Sequence, residues 1–253
     1  MTAHIPLPPS DQAVAEFERE LESVQDKMHQ PVHALRSPLR ELIMARIESS
    51  YPPARAAVVL CAGYSVDQNA TESRVNLAAA LEMLTVAFEI HERLLGPDRP
   101  AVAADPGPEE RTYLGGNILA GDFCFSCAAQ LAARTESPAV VATFATALQT
   151  VSENRLRTLF LDGAEMSADP SFSTHRTLMH SGAAAALELS DLEYPGRVVV
   201  ESLIDTIVEG AATTPLANDE WKQQIGSLPA EHASRWKAYA SWIRNVTPDS
   251  SPR

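Results

Sequence analysis

The sequence has few cysteines, few aromatic residues and a deficit of positive charge. Its three cysteines, Cys61, Cys124 and Cys127, are too few to build a disulfide framework in a chain of 253 residues. Only 6% of the residues are aromatic, while alanine is abundant, which favours helices that approach one another closely. A net charge of −13 disfavours binding to nucleic acid or to an anionic lipid surface. We therefore expect no nucleic-acid partner, and an anionic substrate would need a local cluster of cations or a metal ion.

Long apolar runs are also missing. No stretch is long enough to span a bilayer as a transmembrane segment, and the start of the chain does not have the pattern of a signal peptide. Together with the unpaired cysteines, this predicts a cytoplasmic, reducing location. No segment has the composition of a linker, so we expect one domain over 1–253, with loose tails at residues 1–9 and 247–253.

Apolar residues recur at helical spacing along most of the chain, and no segment alternates with a period of two for long enough to indicate a strand. The first apolar stripe runs from Val14 to Met28, and we expect Pro31 to end its helix. Residues 54–64 are apolar nearly all round, which predicts a buried helix. The pattern predicts an all-α protein of about nine or ten helices.

Two long helical patterns dominate the centre of the chain. The first begins near Thr71, and Gly96-Pro97 is expected to end it. Residues 98–110 contain three prolines and no periodicity, which indicates a loop. The second helix is expected over 111–134. It contains Cys124 and Cys127 in an apolar setting, which favours core thiols over a redox or zinc motif.

Two groups of acidic residues have the chemistry to hold a divalent cation through oxygen ligands. His91, Glu92 and Asp98 lie around the end of the first long helix, where the alternative is a polar helix end at the surface. Asp205 and Glu209 lie four residues apart and therefore share one helix face, where the alternative is a solvated face. A further segment, His175-Arg176-Thr177, places a cation near a helix start, where an anion would also meet free N–H groups; an ordinary surface helix start fits equally well.

Several blocks of the sequence, in order, resemble the trans-type isoprenyl (polyprenyl) diphosphate synthases. Residues 82–91 (EMLTVAFEIH) resemble the helix that family members write as E-x-x-H-x-x-S-L-I-H, and residues 116–122 (GNILAGD) resemble the family's LAGD helix start. Arg55 with the following AAVVL resembles the end of the family's GGKRLRP-x-L-x-L block, and residues 175–177 resemble its diphosphate-contacting Lys-Thr segment. The resemblance covers about residues 52–210. It implies an isoprenoid-synthase-type helical bundle around a central cavity, with Arg55, His91, Arg176 and Thr177 as substrate-binding residues.

The sequence departs from this family where the family binds metal ions. In the family, an Asp-rich motif that binds Mg²⁺ and the allylic diphosphate follows the histidine of the first long helix, whereas this chain has Glu92, then Arg93, and only later Asp98. The second Asp-rich motif is reduced to residues 205–209 (DTIVE), with acids at the first and last places only. Because Mg²⁺ ions neutralise the diphosphate leaving group, we expect no catalytic residues, no cofactor and little activity in this chain alone.

This pattern is similar to the small, non-catalytic component of heteromeric long-chain polyprenyl diphosphate synthases, such as heptaprenyl diphosphate synthase component I. The resemblance implies an accessory subunit of a hetero-oligomer whose catalytic, Asp-rich partner uses Mg²⁺ with allylic and isopentenyl diphosphates. Such a subunit helps to set product chain length, commonly for quinone biosynthesis. Two alternatives stay open. One is a self-sufficient prenyltransferase or terpene-synthase-like enzyme with Glu92, Asp98, Asp205 and Glu209 as Mg²⁺ ligands, and the other is an isoprenoid-binding homodimer.

Overall fold

The computed structural model describes residues 11–50, 53–67, 69–95, 107–160, 170–209 and 219–246. Within these ranges the chain forms ten α-helices and no β-strand, so the predicted all-α class is confirmed. The helices are α1 (Asp11–His33), α2 (Leu39–Ser49), α3 (Ala54–Ala62), α4 (Ala70–Leu95), α5 (Pro108–Ala133), α6 (Pro138–Phe160), α7 (Pro170–Leu187), α8 (Gly196–Glu209), α9 (Asp219–Gly226) and α10 (Ala230–Val246). None of the described helices combines the length and the apolar character needed to cross a membrane.

Helix α4 forms the centre of the bundle. Its residues from 74 to 88 are all buried, on every side of the helix, which requires neighbouring helices all around it. It packs most extensively along α5 and also contacts α1, α2, α3 and α7. The first long helical pattern of the sequence is therefore the element on which the other helices pack.

Helix α7 crosses α3 and α4 closely because Gly182 has no side chain. A Cβ atom at this position would lie 2.4 Å from Cδ2 of Leu81 on α4 and 3.3 Å from Cγ2 of Val59 on α3. Helix α3 itself is buried from Ala56 to Ala62, which agrees with the prediction for residues 54–64. The close crossing brings α7 against both α3 and α4, and these three helices carry the first candidate residues.

The end of α1 differs from the expectation. Pro31 lies inside the helix, which continues to His33, so the prediction that Pro31 ends it is wrong. A proline this close to a helix end removes one intrahelical hydrogen bond and leaves most of the helix intact. Met28 and Val32, one helical turn apart, are both buried and hold the helix against the core on either side of the proline.

The start of α5 also differs from the expectation. The helix begins at Pro108, three residues before the predicted start, and the LAGD sequence at residues 119–122 lies in its middle. Proline suits the first turn of a helix, and Glu109 and Glu110 interact favourably with its N-terminal dipole. The predicted helix end at Gly96-Pro97, the tails and Asp98 lie outside the described residues.

Candidate functional site

Arg55, at the start of α3, is held inside the bundle by Glu82 of α4. Its Nε and Nη2 donate to Oε2 of Glu82 at 3.2 and 2.9 Å, and the backbone N–H of Ala56 donates to Oε1 at 2.8 Å. The side chains of Arg55 and Glu82 are only 11% and 2% exposed. The Glu82 carboxylate thus neutralises a nearly buried guanidinium and also satisfies a free N–H group in the first turn of α3.

The third nitrogen of the Arg55 guanidinium contacts His175 of α7. Nη1 of Arg55 lies 3.0 Å from Nδ1 of His175. Burial, and then the positive charge of Arg55, lowers the pKa of His175, so the imidazole is neutral at pH 7. Because a guanidinium has no acceptor, Nδ1 accepts the hydrogen bond. All three guanidinium nitrogens of Arg55, a predicted substrate-binding residue, are therefore engaged by groups of this chain.

His91, near the end of α4, packs against the LAGD sequence of α5. Its Nε2 lies 3.3 Å from the carbonyl oxygen of Ile118 and 3.6 Å from Oδ1 of Asp122. The imidazole also meets the ring of Phe125 edge to face, with centroids 5.3 Å apart. Gly121 permits this approach, since a Cβ atom there would lie 2.1 Å from Nε2 of His91. The glycine of the LAGD sequence therefore provides the space that the imidazole occupies.

Replacing Gly121 by Ala is expected to push the His91 ring away from Ile118 and to lower the free energy of unfolding by about 1–3 kcal/mol, the usual cost of overpacking. The double variant Gly121→Ala/His91→Ala should be more stable than Gly121→Ala alone, because the ring that the new methyl group meets is absent. Urea unfolding monitored by circular dichroism measures both.

Gly116→Ala is the matched control for this experiment. Gly116 lies in the same helix, and a Cβ atom there meets nothing within 4 Å. This replacement should therefore stabilise the protein by up to about 1 kcal/mol through helix propensity alone. Equal destabilisation by the two glycine replacements would contradict the close contact between Gly121 and His91.

Glu92, a predicted metal ligand, is paired with Arg155 of α6. Nη2 of Arg155 lies 3.4 Å from Oε2 of Glu92, and Nη1 donates to the carbonyl oxygen of Phe88 at 3.2 Å. The guanidinium also lies 5.0 Å from the centroid of the Phe88 ring, a cation–π arrangement. An arginine of the chain itself therefore occupies the position beside Glu92, while the neighbouring Arg93 is exposed.

Asp205 and Glu209 of α8 face two basic side chains of α7. Oδ1 of Asp205 lies 3.6 Å from Nδ1 of His180, and Oε1 of Glu209 lies 3.9 Å from Nη2 of Arg176. All four side chains are more than a third exposed, so these pairs contribute little stability. Arg176, a predicted diphosphate contact, therefore lies beside Glu209, a predicted metal ligand, while Thr177 is half-buried on α7.

Comparisons with known proteins identify the architecture. A scan against protein-family models and a search of curated proteins gave no match. Among solved structures, a geranyltransferase from Legionella pneumophila has a TM-score of 0.63 at 15% identity, covering 92% of this chain and 97% of that chain. A decaprenyl diphosphate synthase from Rhodobacter capsulatus has a TM-score of 0.60 at 15% identity, with coverages of 94% and 87%. A deletion mutant of the mint heterotetrameric geranyl pyrophosphate synthase has a TM-score of 0.56 at 13% identity, with coverages of 90% and 99%.

These similar structures are trans-isoprenyl diphosphate synthases. The chain has the isoprenoid synthase fold. This confirms the fold that the sequence resemblance implied. At identities of 13–15% the comparison establishes the fold, and the activity has to be argued from the site.

The Mg²⁺ ions implied by the resemblance to prenyl synthases would need oxygen ligands from Glu92, Asp205 and Glu209, since Asp98 lies outside the described residues. Hard cations require several oxygen ligands around one point, and a neighbouring positive charge repels them. Each of Glu92, Asp205 and Glu209 has a basic side chain within 4 Å instead. In the described ranges, no group of three or more histidine, cysteine or acidic side chains is placed to hold a metal ion.

Arg155 and His180 are not among the site residues predicted from the sequence. A signal for His180 exists, because Arg176 and His180 have the same four-residue spacing as Asp205 and Glu209. No comparable signal marks Arg155, which lies 63 positions from Glu92 and meets it only through the packing of α6. Glu82 belongs to a recognised block, but its pairing with Arg55 depends on how α3 packs against α4.

Proposed function

We propose that this chain is the small accessory subunit of a hetero-oligomeric polyprenyl diphosphate synthase and has no prenyl-transfer activity of its own. The observation that carries the proposal is the pairing of every described acidic candidate with a basic side chain of the same chain. Glu92 contacts Arg155, Asp205 contacts His180, and Glu209 contacts Arg176. The catalytic, Asp-rich partner would bind Mg²⁺ and the allylic and isopentenyl diphosphates.

The electrostatics of the candidate site support the absence of catalysis in this chain alone. Metal ions stabilise the departing diphosphate in the transition state by several kcal/mol, and about 1.4 kcal/mol corresponds to a tenfold change in rate. A carboxylate that already has a guanidinium beside it offers a divalent ion much less attraction, because the pair has no net charge. Arg55, the remaining cation of the first basic block, is engaged by Glu82 and His175.

The outer surface of α5 supports the partner. This helix is apolar around most of its circumference, which is typical of a helix with neighbours on all sides. Nevertheless Tyr113, Ile118 and Leu119 are 46%, 47% and 63% exposed. We infer that Ile118 and Leu119, which are neighbours in sequence, are part of the surface that meets the partner. The mint synthase that shares the fold is heterotetrameric, so isoprenoid synthase chains do assemble into heteromers.

The catalytic site of the partner would then form the bond between isoprenoid units. This chain would influence product length through its contacts with the partner in the complex. We place this function in the cytoplasm and connect it to quinone side-chain biosynthesis on the basis of the sequence resemblance. The retained isoprenoid synthase fold would be maintained by its role as one half of an interface.

The test is coexpression with the Asp-rich polyprenyl synthase encoded by the same genome, followed by copurification and a product-length assay with Mg²⁺. We expect no turnover by this chain alone, a stable complex, and longer or more abundant product from the complex. Leu119→Glu should abolish copurification, whereas Val66→Glu, at a similarly exposed apolar residue of the α3–α4 connection, should not. Mg²⁺-dependent turnover by this chain alone that is lost in Asp205→Ala would overturn the proposal, as would failure to associate with the Asp-rich synthase.

A further inference from the structure

Helix α1 carries two histidines on one side, one helical turn apart. The ring centroids of His29 and His33 are 6.1 Å apart, and the ring planes meet at 72°. His33 is exposed and His29 is half-buried. Among the described residues, neither imidazole has a hydrogen-bond or ion-pair partner, so each ring has one nitrogen lone pair that no group of this part of the chain occupies.

We propose that His29 and His33 form a binding site for a divalent cation of the zinc, nickel or copper type. Histidines at positions i and i+4 of a helix direct their rings to the same side, which is the arrangement that zinc-binding helices with two histidines use. Imidazole is a preferred ligand of Zn²⁺, Ni²⁺ and Cu²⁺, whereas Mg²⁺ prefers oxygen. Water molecules complete the coordination, because the site lies on the outer side of α1.

The charge around the histidine pair favours a cation. Glu22 and Asp26 precede His29 at spacings that put them on the same side of α1, and both carboxylates are exposed. They belong to a chain whose net charge is −13, so the surface attracts cations to this helix. None of these residues belongs to the candidate prenyl-synthase site, and the inference is therefore independent of the proposed function.

Pro31 lies between the two histidines and gives the bound ion a structural effect. Because proline has no N–H group, the carbonyl group of Lys27 lacks its usual intrahelical donor, and this turn of α1 is weaker than the others. A metal ion bound by His29 and His33 would join the residues before and after Pro31. Since the ion binds only the folded helix, it should raise the thermal stability of the protein.

The experiment is isothermal titration of the full-length, untagged protein with Ni²⁺, Zn²⁺ and Mg²⁺. We expect Ni²⁺ and Zn²⁺ to bind at one site, with at least tenfold weaker affinity in His29→Gln and in His33→Gln, and no binding of Mg²⁺ at the same concentrations. His180→Gln removes a half-buried histidine of α7 and is the matched control, which should bind both ions as the unchanged protein does.

Thermal unfolding with and without Ni²⁺ is the second measurement, and circular dichroism shows whether each variant is folded. Ni²⁺ should raise the thermal midpoint of the unchanged protein and of His180→Gln, but not that of His33→Gln, whose circular dichroism spectrum without metal should be unchanged. Equal Ni²⁺ affinity in the unchanged protein and in His29→Gln/His33→Gln would overturn the proposal. An equal rise of the thermal midpoint on addition of Ni²⁺, in the unchanged protein and in this double variant, would also overturn it.

Discussion

Replacing Glu82 by Gln is expected to lower the free energy of unfolding by about 3–5 kcal/mol, the typical result of removing one partner from a buried ion pair. The side chain is 2% exposed, and its two oxygens accept three hydrogen bonds, two from Arg55 and one from the N–H of Ala56. Glutamine has the same shape, so the loss reports the charge more than the packing. Urea unfolding, with the m value compared between variants, measures it.

The loss of stability in Glu82→Gln should come from the guanidinium of Arg55, which then has no counter-charge. Arg55→Met in the same background removes that charge, so the double variant should recover part of the lost stability. Glu89→Gln is the matched control on α4, because Glu89 pairs with Arg46 at 2.7 Å in a site where both side chains are about a quarter exposed. It should cost only about 1 kcal/mol. A loss from Glu82→Gln no larger than that of the control would show that Arg55 is not dependent on this carboxylate.

The helices of this fold follow from local sequence patterns, and this explains why they could be predicted. The apolar periodicity of α1 and the nearly continuous apolar run of α3 each require burial against other elements, whatever those elements are. The boundary errors have a local cause as well. Pro31 is tolerated near the end of α1, and Pro108 starts α5 instead of belonging to the preceding loop.

The partners of the candidate site residues could not be predicted in the same way, because they depend on how separate helices pack. Arg155 meets Glu92 across 63 positions of sequence, and His175 meets Arg55 across 120. A carboxylate read from the sequence alone has the same appearance whether it faces a metal ion or a guanidinium. In the structure, the group beside the Glu92 carboxylate is the guanidinium of Arg155.

The residue whose replacement should have the largest effect lies far from the candidate site. Glu20 of α1 lies between two buried arginines, Arg74 of α4 and Arg235 of α10. Among the described residues, no other carboxylate forms an ion pair with either arginine. Arg74 donates to it through Nη2 at 2.7 Å and Nε at 3.0 Å, and Arg235 donates through Nη2. Both guanidinium groups also lie over the ring of Tyr64, at 5.3 and 5.6 Å. This group joins the first and last helices to the central one.

Glu20→Gln is therefore expected to cost at least as much as Glu82→Gln, about 4 kcal/mol or more, because it leaves two buried guanidinium groups without a counter-charge. Arg74→Met should cost less, since the pair that remains, Glu20 with Arg235, is neutral. Glu22→Gln, on the exposed side of the same helix, should change the free energy of unfolding by less than about 0.5 kcal/mol. This ordering distinguishes a charge effect from a packing effect. If packing dominated, removing the longer arginine side chain would be the more damaging change, and Glu20→Gln, which keeps the shape of the side chain, would be nearly neutral.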